Sequence, residues 1–265
     1  MCGIAGYSLA PDSGIERTLA AQALLAGIAE RGADAVGYAF RAPGEGPAEV
    51  VKQRSGASAL LDQVMVPAEA TQLLVHVRDY TKGHPSIEAN NHPVRHGAVV
   101  GIHNGLIVND DEILAEFPCA RSEPRMTVDS EAIFAVAEHF AGDPRAFERL
   151  RGAMATAWID ERVPDEVVIA RGMGRPVWIG QGRGAVFFAS TSLALEVVER
   201  FAHVPLRKQE LREGIVLRLR DGAIASRERF RPDMSYVEEN PLPSVRAPRE
   251  AEYCLSRLAA LVAAA

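Results

Sequence analysis

Cysteine is scarce: Cys2, Cys119 and Cys254 are the only three in 265 residues, and none stands in a Cys-x-x-Cys spacing. An odd, dispersed set excludes a disulfide framework and a paired-thiol zinc site, so all three are expected as free thiols. Basic charge is scarce as well. The 29 Lys and Arg against 35 Asp and Glu leave a formal net charge of −6, with positive residues scattered, which argues against a nucleic-acid partner. No apolar run approaches the roughly 18 residues that span a bilayer. The first residues also lack the basic and apolar regions of a secretory signal. No membrane association is expected, and the chain reads as cytoplasmic. Among the seven histidines no helical His-x-x-x-His pair occurs, and no paired cysteines or carboxylates stand at ligand spacing, so neither metal nor cofactor is expected. No internal repeat is evident.

What is present is enough apolar material for one well-buried domain: 48% of residues are hydrophobic and 24% charged. Short apolar segments bounded by turn residues predict strands at 3–9, 36–41, 49–54, 72–77, 98–103, 154–160, 166–171, 176–180 and 185–189. Two more, at 214–219 and 223–227, flank Asp221-Gly222, a hairpin signal. Helical patterns run over 15–29, apolar nearly all round, and over 129–142, where Ile133, Val136, Ala137 and Phe140 share a face. Runs of strands with few helices between them point to stacked, helix-covered sheets rather than a doubly wound parallel sheet. After Asp233 the character changes. Residues 238–248, EENPLPSVRAP, predict an extended linker, and 249–264 a short helix with Leu255, Leu258 and Val262 along one stripe, docked on its own domain.

Several residues could carry chemistry. If Met1 is removed, as the small residue behind it permits, Cys2 presents a thiol and a free α-amine together, a nucleophile and a base near working pH. Its alternative is a small residue on a buried first strand. RGADAVG (31–37) is either a turn before a strand or a site where Arg31 steadies a neighbouring thiolate. HVRDYTKGHPS (76–86) ends a strand with Arg78, suited to a bidentate carboxylate or simply a solvated loop arginine. In GIHNGLI (101–107) a strand is expected to stop at His103 and turn at Asn104-Gly105. That pair is a hairpin signal or a two-donor oxyanion site, from the Asn104 amide and the next backbone N–H. Asp129 reads as a helix cap or as a partner for a substrate ammonium.

Taken in order, CGIAG, RGADAVG, HVRDYTKGHPS, NNHP, HNGLIVN and DSEAIF resemble the class II glutamine amidotransferases, most closely the glutaminase half of glutamine–fructose-6-phosphate aminotransferases. LRGAMATAWID, ARGMGRPVWIGQG and FFASTSLAL continue the likeness, which covers about residues 2–230. The resemblance implies an α+β fold, a four-layer αββα sandwich of two antiparallel sheets flanked by helices, the N-terminal nucleophile hydrolase fold. It also implies roles. Cys2 would attack the carboxamide of L-glutamine with its own α-amine as base, and Asn104 and Gly105 would hold the oxyanion. Arg78 would bind the α-carboxylate and Asp129 the α-ammonium, Thr81 would contact substrate, and Arg31, His76 and His103 would support the site.

The departures from that pattern are local. Asp79 and Tyr80 follow Arg78 where the best-matched members have a Trp that covers glutamine and gates an ammonia channel. Lys82 stands where a His is usual, and one residue is added before the Asn-x-His-Pro run. The expected organisation is a glutaminase domain over 2–233 and a linker with a short helix over 234–265. Residues beyond about 230 leave no room for an acceptor module of this kind, so the expectation is an amidotransferase subunit. It would deliver ammonia to a separate synthase in amino-sugar or other nitrogenous metabolite synthesis, with a homo-oligomer left open. The alternatives are an N-terminal cysteine amidase for another amide and a non-catalytic regulatory module of the same fold.

Overall fold

The computed structural model describes residues 2–44, 46–117, 121–238 and 243–264. Cys119, Met1 and part of the expected linker, 239–242, lie outside the described residues. Among the described residues thirteen strands run in chain order: β1 (Gly3–Leu9), β2 (Ala35–Arg41), β3 (Glu49–Gln53), β4 (Gln72–Arg78), β5 (Val94–His96), β6 (Val99–Ile107), β7 (Gly152–Asp160), β8 (Glu166–Arg171), β9 (Trp178–Gly182), β10 (Ala185–Ala189), β11 (Arg207–Glu210), β12 (Ile215–Arg220) and β13 (Ala223–Arg229). The α-helices are α1 (Arg17–Ile28), α2 (Ala57–Leu60), α3 (Asp110–Leu114), α4 (Glu131–His139), α5 (Ser192–Phe201) and α6 (Pro248–Ala264).

The strands form a seven-stranded sheet in the order β11-β9-β10-β1-β4-β2-β3 and a six-stranded sheet in the order β13-β12-β8-β7-β6-β5. Neighbours in both pair antiparallel. Period-two alternation sends side chains of one strand into different layers. Tyr7 and Leu9 of β1 join Leu24, Leu25 and Phe201 of α1 and α5 in an outer core. Ile4 of the same strand joins Leu74, Ile102, Ile159 and Ile169 in the core between the sheets. A second outer core packs Ile133, Phe134 and Val136 of α4 on Val94 and Trp158. Helix, sheet, sheet, helix is the resulting stack, the αββα arrangement expected from the sequence.

Helix α1 can be apolar all round because the first sheet, α5 and α6 each cover part of it. Its start is fixed by Glu16, whose carboxylate accepts from the backbone N–H of Thr18 and Leu19. Helix α6 buries Cys254 and Leu258 on this outer core. Before it, the N–H groups of Arg246 and Ala247 both donate to the Glu30 carbonyl at 2.8 Å. The helix thus docks on its own domain, and Cys254, fully buried, has its thiol pushed up by burial to about 12.

One local expectation is corrected. Asn104-Gly105 is not a turn: β6 runs unbroken through it, with Asn104 opposite Ala155 and Gly105 opposite Met154 on β7. The pairing with β7 overrides the turn preference of the dipeptide. Gly105 retains an unusual backbone, φ +152°, and a Cβ there would lie 1.9 Å from the Ala153 carbonyl oxygen.

Among the described residues no helix is long and apolar enough to cross a membrane.

Candidate active site

Cys2 lies immediately before β1, a central strand held between β4 and β10. Its thiol, partly buried, donates to the Asp79 carbonyl at 3.5 Å, and its own carbonyl accepts from Arg31 Nε at 2.9 Å. Burial pushes the thiol up, while contact with the Asp79 backbone and the charge of Arg78 act in the opposite sense. Arg31 ends a short 3-10 turn, Ala29–Arg31. The guanidinium is almost fully buried, and one terminal nitrogen, Nη2, has no partner.

Gly32 explains why a glycine follows Arg31, because a Cβ there would sit 2.4 Å from the Arg78 carbonyl group. With the two segments so close, Asp34 N–H donates to the Arg78 carbonyl at 2.9 Å, and the Asp34 carboxylate accepts from Tyr80 N–H at 2.9 Å. RGAD is thus the brace of the loop that leaves β4.

Arg78 ends β4 and is only 2% exposed. Its Nη1 donates to Asn91 Oδ1 at 2.6 Å, and its Nη2 to the carbonyls of Lys82, at 2.9 Å, and Gly83. This is a fixed guanidinium rather than a solvated loop arginine. Burial weakens its hold on the proton, and the charges that act most strongly against that are Cys2 and Asp129, so Arg78 lies within electrostatic reach of both. Thr81, on the same loop, is exposed. Lys82 turns outward to bind both Asp110 oxygens at 2.7 Å.

Asp129 precedes α4 and does not cap it. Its Oδ2 accepts from Ile107 N–H at the end of β6, 2.7 Å away. Burial raises its pKa from 3.8 to about 6, against the pull of that N–H. The buried carboxylate is therefore held by the strand that carries Asn104. Asn104 itself is fully buried, and neither its Oδ1 nor its Nδ2 has a hydrogen-bond partner.

The two sheets are stitched at this point by histidines. His76 of β4, opposite Ile4 of β1, donates from Nε2 to the His103 carbonyl on β6 at 3.1 Å. His103 donates from Nε2 to the Ala153 carbonyl at 3.3 Å, so its Nδ1 accepts from Ser130 Oγ at 2.9 Å. Burial lowers both pKa values to about 3, leaving both rings neutral. Through this seam β6, which carries Asn104, is tied to β4, the neighbour of β1.

Sequence reasoning passed over four residues. Asn91 orients Arg78, and Asn90 accepts from Thr127 and Val128 N–H at 2.7 and 3.0 Å, tying the loop to the segment before Asp129. His92 stacks on His76, with centroids 4.2 Å apart. Arg175, buried and 2.7 Å from Glu238, lies where its charge reaches Arg31 and His103. The Asn-Asn pair in NNHP was the available signal, since two adjacent buried amides need specific partners.

Residues 80–197 match the family model described as a glutamine amidotransferase domain. The chain is 34% identical over 208 residues to a glutamine–fructose-6-phosphate aminotransferase (isomerizing) of Symbiobacterium thermophilum, covering 74% of this chain and 32% of that protein. It is 33% identical over 213 residues to the Escherichia coli K12 protein of the same name, covering 76% and 33%. The chain therefore spans about a third of the length of these relatives. Among solved structures, an allosteric regulatory enzyme of purine biosynthesis superimposes with a TM-score of 0.65 at 20% identity, covering 86% of this chain and 49% of that one. The glutamine phosphoribosylpyrophosphate amidotransferase of B. subtilis gives 0.63 at 18%, with the same coverages. These last two share the fold. By family and by fold, this chain carries a class II glutamine amidotransferase domain.

Proposed function

We propose that the domain hydrolyses L-glutamine to glutamate and ammonia through a γ-glutamyl thioester on Cys2, and that the ammonia passes to a separate acceptor synthase. The observation that carries this reading is the orphaned side chain of Asn104. A buried amide without partners costs about 1–3 kcal/mol, and here it follows a seam that ties β6 to β4 beside β1. That cost is recovered when a developing oxyanion accepts its N–H, which makes the donor worth more in the transition state than in the free enzyme.

In this reading removal of Met1 frees the α-amine of Cys2. The Cys2 sulfur attacks the carboxamide carbon as its proton passes to that amine, and Asn104 Nδ2–H and Gly105 N–H hold the oxyanion. Collapse breaks the C–N bond, and the amine returns the proton to the departing nitrogen, so ammonia leaves. Water then adds to the thioester, glutamate departs and the thiol is restored. Arg78 takes the α-carboxylate, Asp129 the α-ammonium and Thr81 a further substrate contact. Arg31 holds the Cys2 carbonyl, while His76 and His103 keep the seam in register. Two opposite charges, Arg78 and Asp129, select an α-amino acid over a simple amide.

Residues 2–233 form the glutaminase unit in this proposal, and 234–265 a linker with a short helix. Ammonia in neutral water is mostly ammonium and diffuses away, so an acceptor held against the domain, in the cytoplasm, is the productive arrangement. The test incubates protein with a mass-verified free Cys2 with glutamine or asparagine and measures glutamate, aspartate and ammonia. Turnover of glutamine over asparagine, abolished by Cys2→Ser, is expected. An untagged wild type that releases no ammonia, with or without a candidate acceptor, would sink the proposal.

A further inference from the structure

The two groups that bear on Cys2 are themselves gripped from outside by one residue of the C-terminal arm. The Asp79 carbonyl accepts the Cys2 thiol, and the Asp79 carboxylate is paired with Arg246 Nε at 3.2 Å. The Cys2 carbonyl accepts from Arg31, and the turn that ends in Arg31 is fastened through the Glu30 carbonyl to the N–H groups of Arg246 and Ala247. Arg246 therefore meets both supports of the nucleophile, one by its side chain and one by its backbone. The arm is seated firmly enough to do this. Glu250 accepts from Ser58 N–H and Oγ at 2.7 and 3.0 Å, Arg257 pairs with Asp62 at 2.9 Å, and Cys254 and Leu258 are buried.

We propose that Arg246 is a positioning residue for Cys2: the Arg246–Asp79 pair fixes the loop after β4 so that its carbonyl stays against the thiol. Arg78, next to Asp79, is held separately by Asn91 and the carbonyls of Lys82 and Gly83. Loss of Arg246 thus disturbs the nucleophile and leaves the substrate-binding arginine in place. The pair is partly exposed, Arg246 42% and Asp79 13%, so its contribution is that of a surface ion pair. That corresponds to a change of about threefold to fivefold in a rate.

The kinetic arm of the test rests on the glutaminase reading, whereas the labelling arm does not. In the full chain, Arg246→Ala should lower kcat for glutamine about threefold to fivefold with KM unchanged. It should also lower the rate of Cys2 alkylation by iodoacetamide, read on the Cys2 peptide by mass spectrometry, by a similar factor, since the lost contact favoured the thiolate. Arg246→Lys should restore most of both. Adding Arg246→Ala to Asp79→Asn should change little beyond Asp79→Asn alone, because coupled residues are not additive. Arg257→Ala, which removes a different ion pair from the same arm, serves as the control and should match wild type. The proposal is overturned if Arg246→Ala and Arg257→Ala behave alike, if the Asp79 and Arg246 effects simply add, or if KM alone moves. A wild type without glutaminase activity refutes the proposed function, and the labelling arm then decides the role of Arg246.

Discussion

Asp129 is a carboxylate whose environment favours its neutral form, with a pKa raised from 3.8 to about 6, chiefly by burial. The sign follows directly. The folded protein takes up a proton at a pH where the unfolded chain has lost it, so this group's contribution to stability is present below pH 3.8 and lost as pH rises through about 6. At pH 7 the ionised group costs about 3 kcal/mol, which the ammonium of glutamine would offset on binding. Asp129→Asn should therefore raise the melting temperature by several degrees at pH 7.5 and not at pH 4. The same change should raise KM for glutamine by tenfold or more, the worth of a charged hydrogen bond. A variant that gains no stability at pH 7.5 would show that the wild-type carboxylate is not strained. In the wild type, KM should climb as pH falls below about 6.

At the scale of elements, close packing depends on a few glycines. Gly27 of α1 faces α5 so tightly that a Cβ would lie 2.7 Å from Ala194 Cα, which leaves no flexible atom to yield. Gly27→Leu should force the two helices apart and cost about 3 kcal/mol or more, read as a lower urea midpoint. An unchanged midpoint would mean that α5 shifts freely. Strands β1, β8 and β10 have the bounds that the sequence pattern predicts, because their apolar runs are fully buried and turn residues end them. The other expected strands are recovered within a few residues. Strand β11, RKQE, escaped because it is a polar, mostly exposed edge with no alternation to read. Helix α5 was legible but unread: Ala194, Leu195, Val197, Val198 and Phe201 share its buried face. For the site, Asn104 is named by its motif, but its place within a continuous strand is not legible. Local preference says turn, and only the partner strand says otherwise.

For the whole molecule, the seam between the sheets is an acid-labile joint. His76 and His103 have pKa values lowered to about 3, first by burial, and His92 beside them is lowered well below 6.5 for the same reason. The unfolded chain binds protons at these residues from pH 6.5 downward while the folded chain does not, so stability falls as pH drops from about 6.5 towards 3. At pH 5 His76 and His103 each represent a loss of about 2 kcal/mol relative to pH 7. Asp129 works in the opposite direction. Urea unfolding should show a clearly lower midpoint at pH 5 than at pH 7, and equal midpoints would refute the buried neutral seam.

Strand β1 has its two neighbours at very different distances along the chain. Residues 72–78 pair with one side, whereas the other waits for 185–189 and the bond from Ile4 N–H to Ser190, 186 residues away. On a ribosome adding about 5–20 residues per second, one edge of the first strand stays open for on the order of ten seconds or more. An unpaired strand edge is a template for wrong partners, and here it adjoins the thiol. Nascent chains should thus need shielding early, until the second half of the protein closes onto the first.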